Sequence, residues 1–324
     1  MTPKFNDLLA RIPQIGFEHH AATLLENTRR NGQAIRNEHS IRDCKPSYGP
    51  CIIASAGPSL YRQRILARLA EARFTGTLVA TDGAYIQCLK AGLQPDWVVT
   101  IDPHPTRIVR WFGDPDLESN QANDDYFARQ DLDVSFRKDA IQQNKRNILL
   151  VDGNETSLVV ATSAPENVVS RTARFARYWF APLVDEPTTE GLTSQMVELT
   201  SCPALNTGGT VGTSAWVFTH QVLRADRIAV VGMDFGYPMD TPLENTQEWN
   251  LLKDDPDIAS LYPRQVGYWG ECYTSPTYFF YLQAFKELLQ ASGSRISNCT
   301  EGGILCGDGI DCMPIEQWLI KNSG

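Results

Sequence analysis

The sequence has no apolar run approaching the roughly 20 residues that a membrane-spanning helix needs. Its opening, MTPKFNDLLARIPQIGF, lacks the charged-then-apolar layout of a secretory leader. A cytoplasmic protein without a membrane span is expected. Positive charge is short as well: 29 Lys and Arg against 38 Asp and Glu leave a net −9, which disfavours nucleic acid and anionic membranes as partners while leaving room for a small basic pocket. Cys-x-x-Cys pairs and His/Cys clusters at zinc spacing are absent, so the eight cysteines read as reduced thiols, with Cys306 and Cys312 of LCGDGIDC standing out as a pair. Histidine is sparse, and His19, His20 and His39, scattered over a polar stretch, read as a solvated helix face. Neither a G-x-G-x-x-G fingerprint nor a GK[ST] P-loop occurs, which disfavours ordinary NAD binding and Walker-type ATP hydrolysis. No internal repeat or low-complexity segment is found.

What is present is an ordinary globular composition, 42% hydrophobic and 21% charged, long enough for one large or two modest domains. The densest pattern lies at residues 206–238. There Thr207-Gly208-Gly209-Thr210 makes a Gly-rich turn, 213–223 a helical run and 228–231 a buried strand ending in Gly232-Met233-Asp234. A helix N-terminus after such a turn offers backbone N–H groups and a positive dipole end to an anion such as phosphate. Asp234 leaves the C-terminal end of a strand, the edge where open α/β sheets collect their ligands. A tight turn with close helix packing would call for the same glycines.

Upstream, three strand-turn-helix units follow one another. The strand at 51–54 runs into Ser55-Ala56-Gly57-Pro58-Ser59-Leu60 and a helical run at 62–72. The strand at 77–80 runs into Thr81-Asp82-Gly83-Ala84 and a short helix at 85–91, and the strand at 97–101 ends in Asp102-Pro103-His104-Pro105. Strands alternating with helices imply a parallel sheet with these ends on one rim. Two carboxylates there can hold Mg²⁺, or supply a base and a partner for a ribose hydroxyl; Asp is equally a common helix N-cap. His104 is better placed for chemistry than the other histidines, and a structural hydrogen bond would also account for it.

The rest of the chain frames this core. Residues 1–45 read as a helical arm. The segment 113–146 reads as a polar excursion, 147–151 as a strand, 165–171 as a helix, 178–180 as a strand and 185–198 as a polar loop or lid. A polar insertion follows at 238–264, then Gly267-Tyr268-Trp269-Gly270-Glu271-Cys272-Tyr273-Thr274, and a helix capped by Ser275 with Pro276 at its first position. Its stripe of Tyr278, Tyr281, Leu282, Phe285, Leu288 and Leu289 reads as core. A last strand at 295–297, a rim turn at 298–303 and a final helix at 315–320 complete the reading. The expected fold is α/β and Rossmann-like, a mostly parallel sheet with helices on both faces. The expected parts are an N-terminal helical arm at 1–45, a nucleotide-binding core at 46–240 and a mainly helical region at 241–324 completing the core and covering the site.

Taken in order, IIASAGPSL, ATDGAYIQCLKAGLQPDWVVTIDPHP, NTGGTVGTSAW with ADRIAVVGMDFGY, GECYTS and NCTEGGILCGDGI resemble the domain shared by motility-associated-factor (Maf) flagellin glycosyltransferases and MptE-type 6-hydroxymethyldihydropterin diphosphokinases, over roughly residues 25–320. The AGPSL turn and the turn leading to GMDF also look like the family 42 bacterial sialyltransferases. The resemblance implies a nucleotide or nucleotide-sugar site. Gly57, Pro58 and Ser59 would line the phosphate and Thr207, Gly208, Gly209 and Thr210 the nucleotide. Asp82 with Gly83, and Asp102, stand where the sialyltransferases use asparagines near the donor. Tyr237, Thr274 and Glu301 come from the matching motifs. The sialyltransferase His motif is here Gly-Tyr-Trp-Gly-Glu-Cys-Tyr-Thr, so no catalytic histidine transfers, and Maf proteins are usually longer.

Three readings result. In the first, a glycosyltransferase moves a nonulosonic acid or another sugar from a CMP-type donor to a small-molecule, glycan or protein acceptor, with Asp102, Asp234, Glu271 or His104 as base and Asp102 leading. In the second, a pterin diphosphokinase holds Mg²⁺ on Asp82 and Asp102 between ATP phosphates; this reading alone requires Mg²⁺ as a cofactor. In the third, the chain binds a nucleotide without catalysis.

Overall fold

The computed structural model describes residues 1–119, 134–186, 188–246 and 249–322. The chain forms two compact units: residues 1–19, 47–77 and 208–324 make unit 1, and residues 20–46 and 78–207 make unit 2.

In unit 1, strand Pro50–Ala54 lies parallel to Arg227–Val231, which lies parallel to Ile296–Asn298, which in turn pairs with Ile310–Cys312. Cys51, Ile52, Ile53 and Ala54 are all fully buried, as are Ala229, Val230 and Val231, the continuous apolar run expected of parallel strands covered on both faces. Helix Pro276–Ser292 starts where sequence signals place it: the Ser275 hydroxyl accepts from the Tyr278 N–H at 3.2 Å, Pro276 occupies the first turn and Gly293 closes the helix at φ 64°. Its stripe buries Leu282, Phe285 and Leu289 as expected. The 241–324 region is less helical than expected. Arg264–Gly267 and Gly270–Tyr273 form an antiparallel hairpin whose second strand pairs with Tyr237–Pro238, and Ile310–Cys312 adds a strand to the main sheet. On this small sheet Phe5, Tyr237, Leu261, Tyr262 and Tyr273 form a largely aromatic core. Within the polar insertion at 238–264, Trp249–Leu252 is helical; residues 247–248 lie outside the described residues.

In unit 2, His39–Ser40, Ala176–Leu183, Ser157–Ala161 and Trp97–Thr100 lie side by side in that order, all parallel, with Thr77–Thr81 beyond and Ala204–Asn206 on the end of Ala176–Leu183. Helix Pro3–Arg36 bears out the helical arm, although its second half is not a solvated face. Asn27, Thr28 and Asn31 are buried, with the Asn27 amide donating to Ser163 O and the Asn31 amide to Thr162 O and Ala164 O. They satisfy carbonyls that strand Ser157–Ala161 leaves unpaired at its end.

Two sequence expectations fail here for definable reasons. Residues 147–151 are not a strand but the end of helix Val134–Asp152. Asn144 and Val151 are buried while Leu149 is 73% exposed, a helical rather than an alternating pattern; Asn144 is held by exchanging bonds with the Asp114 backbone. The polar excursion at 113–146 therefore ends in helix, and residues 120–133 lie outside the described residues. The expected loop at 185–198 contains helix Leu192–Thr200, whose first N–H groups, Leu192 and Thr193, donate to the Asp185 carboxylate. That cap comes from seven residues upstream and so escapes the usual N-cap pattern.

Glu38 ties unit 2 together: it accepts from the Arg177 guanidinium (Nε at 2.7 Å) and from Trp179 Nε1 at 2.8 Å, and Arg177 is only 6% exposed. Glu38→Gln keeps an acceptor but removes the charge opposite a buried guanidinium, and is expected to cost about 2 kcal/mol, the range of a charge-assisted hydrogen bond. Urea unfolding of the variant reads this directly; an unchanged midpoint would remove the pair from the stability of the unit.

Candidate functional site

In unit 1 the carboxyl ends of three parallel strands crowd together. After Pro50–Ala54, Ser55 N–H continues the ladder to Val231 O at 2.9 Å and Gly57 N–H donates to Gly232 O at 2.8 Å. Pro58 then opens helix Pro58–Arg62 with Gly57 as its cap residue. Asp234, two residues past Gly232, turns its carboxylate onto that helix start, accepting from Ser59 Oγ at 2.8 Å and from the Ser59 N–H at 3.3 Å. The third turn closes over it: Ile304 N–H donates to Asp234 O at 2.8 Å, and a Cβ on Gly303 (φ 69°) would lie 2.2 Å from that oxygen. Asp234 is therefore buried, and burial pushes its carboxyl up to about 7 against the lowering effect of the Ser59 hydroxyl and N–H.

The Gly-rich turn is also in close contact. Gly208 and Gly209 take φ 53° and 82°, and a Cβ on Gly209 would meet the Tyr281 ring at 2.5 Å. Thr210 caps helix Val211–Val217, accepting from the Thr213 N–H at 3.0 Å. Gly212, in the first turn, faces Ser55: a Cβ there would stand 3.0 Å from Ser55 Oγ. This hydroxyl is buried and has no hydrogen-bond partner among the described residues.

The remaining candidates of unit 1 have separate surroundings. Glu301, at φ 55°, accepts from the Arg68 guanidinium at 2.8 and 3.1 Å and from the Ile315 N–H at 3.0 Å, tying its turn to the last helix. Tyr237 packs against Tyr273 and Tyr278 within the aromatic core. Thr274 is fully buried and donates to Phe235 O at 2.9 Å. Glu271 is exposed on the hairpin.

Unit 2 holds the other candidates. Asp82 begins helix Asp82–Lys90; its carboxylate accepts from Gly83 N–H at 2.7 Å and from Thr100 Oγ1 at 2.8 Å. Burial pushes this carboxyl up to about 7, opposed by those two donors, while the negative charge of Asp102 pushes it further up. Asp102 is half-buried and accepts from the His104 N–H at 2.8 Å, and His104 Nδ1 accepts from the Thr106 N–H at 3.3 Å. Thr207 is buried just past Ala204–Asn206. The hydroxyl of Thr81, at the carboxyl end of its strand, is a second buried group without a partner among the described residues. Pro103 and Pro105, on either side of His104, line a cavity of about 820 Å³ together with Arg30, Asp116 and Asn167. None of these last three carried a sequence signal, because each reaches the cavity from a distant part of the chain. Among the described residues no group of three His, Cys, Asp or Glu side chains could hold a metal ion, and no helix is long and apolar enough to cross a membrane.

Residues 23–114 match the family model described as 6-hydroxymethylpterin diphosphokinase MptE-like. That segment resembles the MptE-like family. It carries Gly57, Pro58, Ser59, Asp82, Gly83, Asp102 and His104. Among solved structures, the Maf glycosyltransferase from Magnetospirillum magneticum AMB-1 is similar, with a TM-score of 0.53 at 13% identity. The match takes in 90% of this chain and 38% of that one, so the chain shares its fold with a little over a third of a longer protein. No curated protein matches the chain. The resemblance to the MptE-like and Maf group, and the Rossmann-like α/β fold expected from it, are borne out.

Proposed function

We propose that the chain is a glycosyltransferase-type domain that binds a nucleotide-activated sugar, of the CMP-nonulosonate type, and passes the sugar to a hydroxyl of a small molecule, glycan or protein. The observation that carries a ligand here is the orphaned Ser55 hydroxyl, buried beside Gly212 at the carboxyl ends of parallel strands. A buried hydroxyl without a partner is costly, and a ligand oxygen supplies the missing one. That the likeness to the Maf glycosyltransferase extends over 90% of this chain supports a sugar nucleotide as that ligand. Transfer from such a donor needs the departing phosphate's charge held and a proton taken from the acceptor hydroxyl. Asp102 is the base we assign: it stands past a strand end, half-buried, and the bond from the His104 N–H leaves further lone pairs on its carboxylate for an acceptor. Asp234 has its oxygens turned onto Ser59, and Glu271 lies on an exposed hairpin.

Asp102→Asn is expected to lower transfer at least about a hundredfold, the range of general-base catalysis, while the protein is still stabilised by donor. Unchanged turnover would remove Asp102 from the chemistry. The reading itself is tested by thermal shift against CMP, CDP, UDP, GDP, ADP and ATP, with Mg²⁺ and with EDTA, because a ligand of the folded state raises apparent stability. Stabilisation by CMP that survives EDTA is expected.

The diphosphokinase reading is favoured by one observation: Asp82 and Asp102 both lie in the MptE-like segment, and the charge of Asp102 acts on Asp82. Two carboxylates suit a Mg²⁺ that draws most of its ligands from phosphate oxygens and water, as this ion does with nucleotides. Stabilisation by ATP only with Mg²⁺ would put this reading first, and binding without turnover under any donor and acceptor would make the chain a nucleotide-binding module.

A further inference from the structure

The segment LCGDGIDC turns back on itself: Ile310 N–H donates to Gly307 O at 3.1 Å, and Gly307 and Gly309 take φ 124° and 77°, backbone angles that favour glycine. The turn brings its two flanks together. Cys312 Sγ lies 3.7 Å from the carbonyl oxygen of Leu305, the residue next to Cys306. Both thiols line one cavity of about 510 Å³, with Tyr268, Asp311, Gln317 and Lys321 around them. Both are half-buried, whereas Cys51, Cys88, Cys202, Cys272 and Cys299 are buried. We propose that Cys306 and Cys312 form a dithiol site that a hydroperoxide closes to a disulfide.

The chemistry balances with the peroxide as sole oxidant. One thiolate attacks a peroxide oxygen, the O–O bond breaks, the leaving alkoxide or hydroxide takes up a proton, and the sulfur becomes a sulfenic acid. The second thiolate attacks that sulfur, the S–S bond forms and the sulfenic oxygen departs as water. Burial, and then the charge of Cys306, push the Cys312 thiol up, which suits Cys312 to the second, resolving step. The cavity admits the oxidant and gives the sulfenic oxygen space. Closing the bond would tie strand Ile310–Cys312 to the turn that carries Glu301, Gly302 and Gly303, and so fix the loop packed over Asp234.

The test treats the full chain, fully reduced, with stoichiometric hydrogen peroxide, blocks free thiols with N-ethylmaleimide and maps the peptides by mass spectrometry. The expected result is joint loss of alkylation at Cys306 and Cys312, a linked peptide lighter by two hydrogens, and recovery of both thiols with dithiothreitol. Cys306→Ser, at a half-buried position, should leave Cys312 alkylatable after the same treatment. If Cys312 remains alkylatable in the oxidised wild-type chain, or if Cys306 links to Cys272 or stops at the sulfinic acid, the proposal fails.

Discussion

Gly57→Ala is expected to destabilise the protein by more than about 4 kcal/mol, the range reached only by outright steric or buried-polar failures. The added Cβ would stand 2.1 Å from Asp234 Oδ2 and 2.4 Å from Gly232 O. The second contact is with backbone and cannot be relieved by rotating a side chain. Moving the Gly57 turn away would break its own N–H bond to Gly232 O, and moving Asp234 would strip the Ser59 N–H and hydroxyl of their acceptor. Both routes leave buried polar groups unpaired, each at about 1–3 kcal/mol. Urea unfolding and soluble yield check the prediction, with Gly32→Ala as companion: that Cβ meets nothing nearer than 3.8 Å inside a helix, where alanine is favoured over glycine. A Gly57→Ala chain as stable as the parent would mean that the three turns are not packed as described.

How much of this was legible in the sequence depends on how local its cause is. Strands such as 51–54 and 228–231 announce themselves because burial on both faces demands an unbroken apolar run, and helix Pro276–Ser292 because Ser275, Pro276 and Gly293 are local signals. The helical end of Val134–Asp152 was hidden because Ile148, Leu149, Leu150 and Val151 make an apolar run whose period is too short to resolve. The hidden roles of Asn27 and Asn31 depend on carbonyls more than 130 residues away. For the candidate site, the strand-end positions of Gly57, Asp82, Asp102 and Asp234 could be read from βα alternation. That Asp234 faces Ser59, that Glu301 holds Arg68 and that Ser55 is left without a partner among the described residues are tertiary facts with no local signature.

Stability should fall as pH rises between about 5 and 8, the reverse of a protein held by depressed carboxylates. Asp82 and Asp234 are both pushed from 3.8 up to about 7, chiefly by burial. A carboxyl whose folded value lies above its unfolded value binds its proton more tightly when folded. Its contribution is therefore complete below about pH 4 and is lost as pH climbs through about 7, where the folded protein must ionise a buried group or open around it. At about 1.4 kcal/mol per unit of difference, each carboxyl contributes at most on the order of 4 kcal/mol to that fall. His220 acts in the opposite sense: burial lowers it, so its contribution is present above its unfolded value and lost on acidification. One histidine, half-buried, offsets only part of two buried carboxyls. Urea midpoints across this range should decline, and Asp82→Asn, which keeps an acceptor for Thr100 but cannot ionise, should flatten the decline by roughly half. A midpoint that is level or rising from pH 5 to 8 would show that these carboxyls are ionised in the folded chain, and would place a compensating cation or ligand beside them.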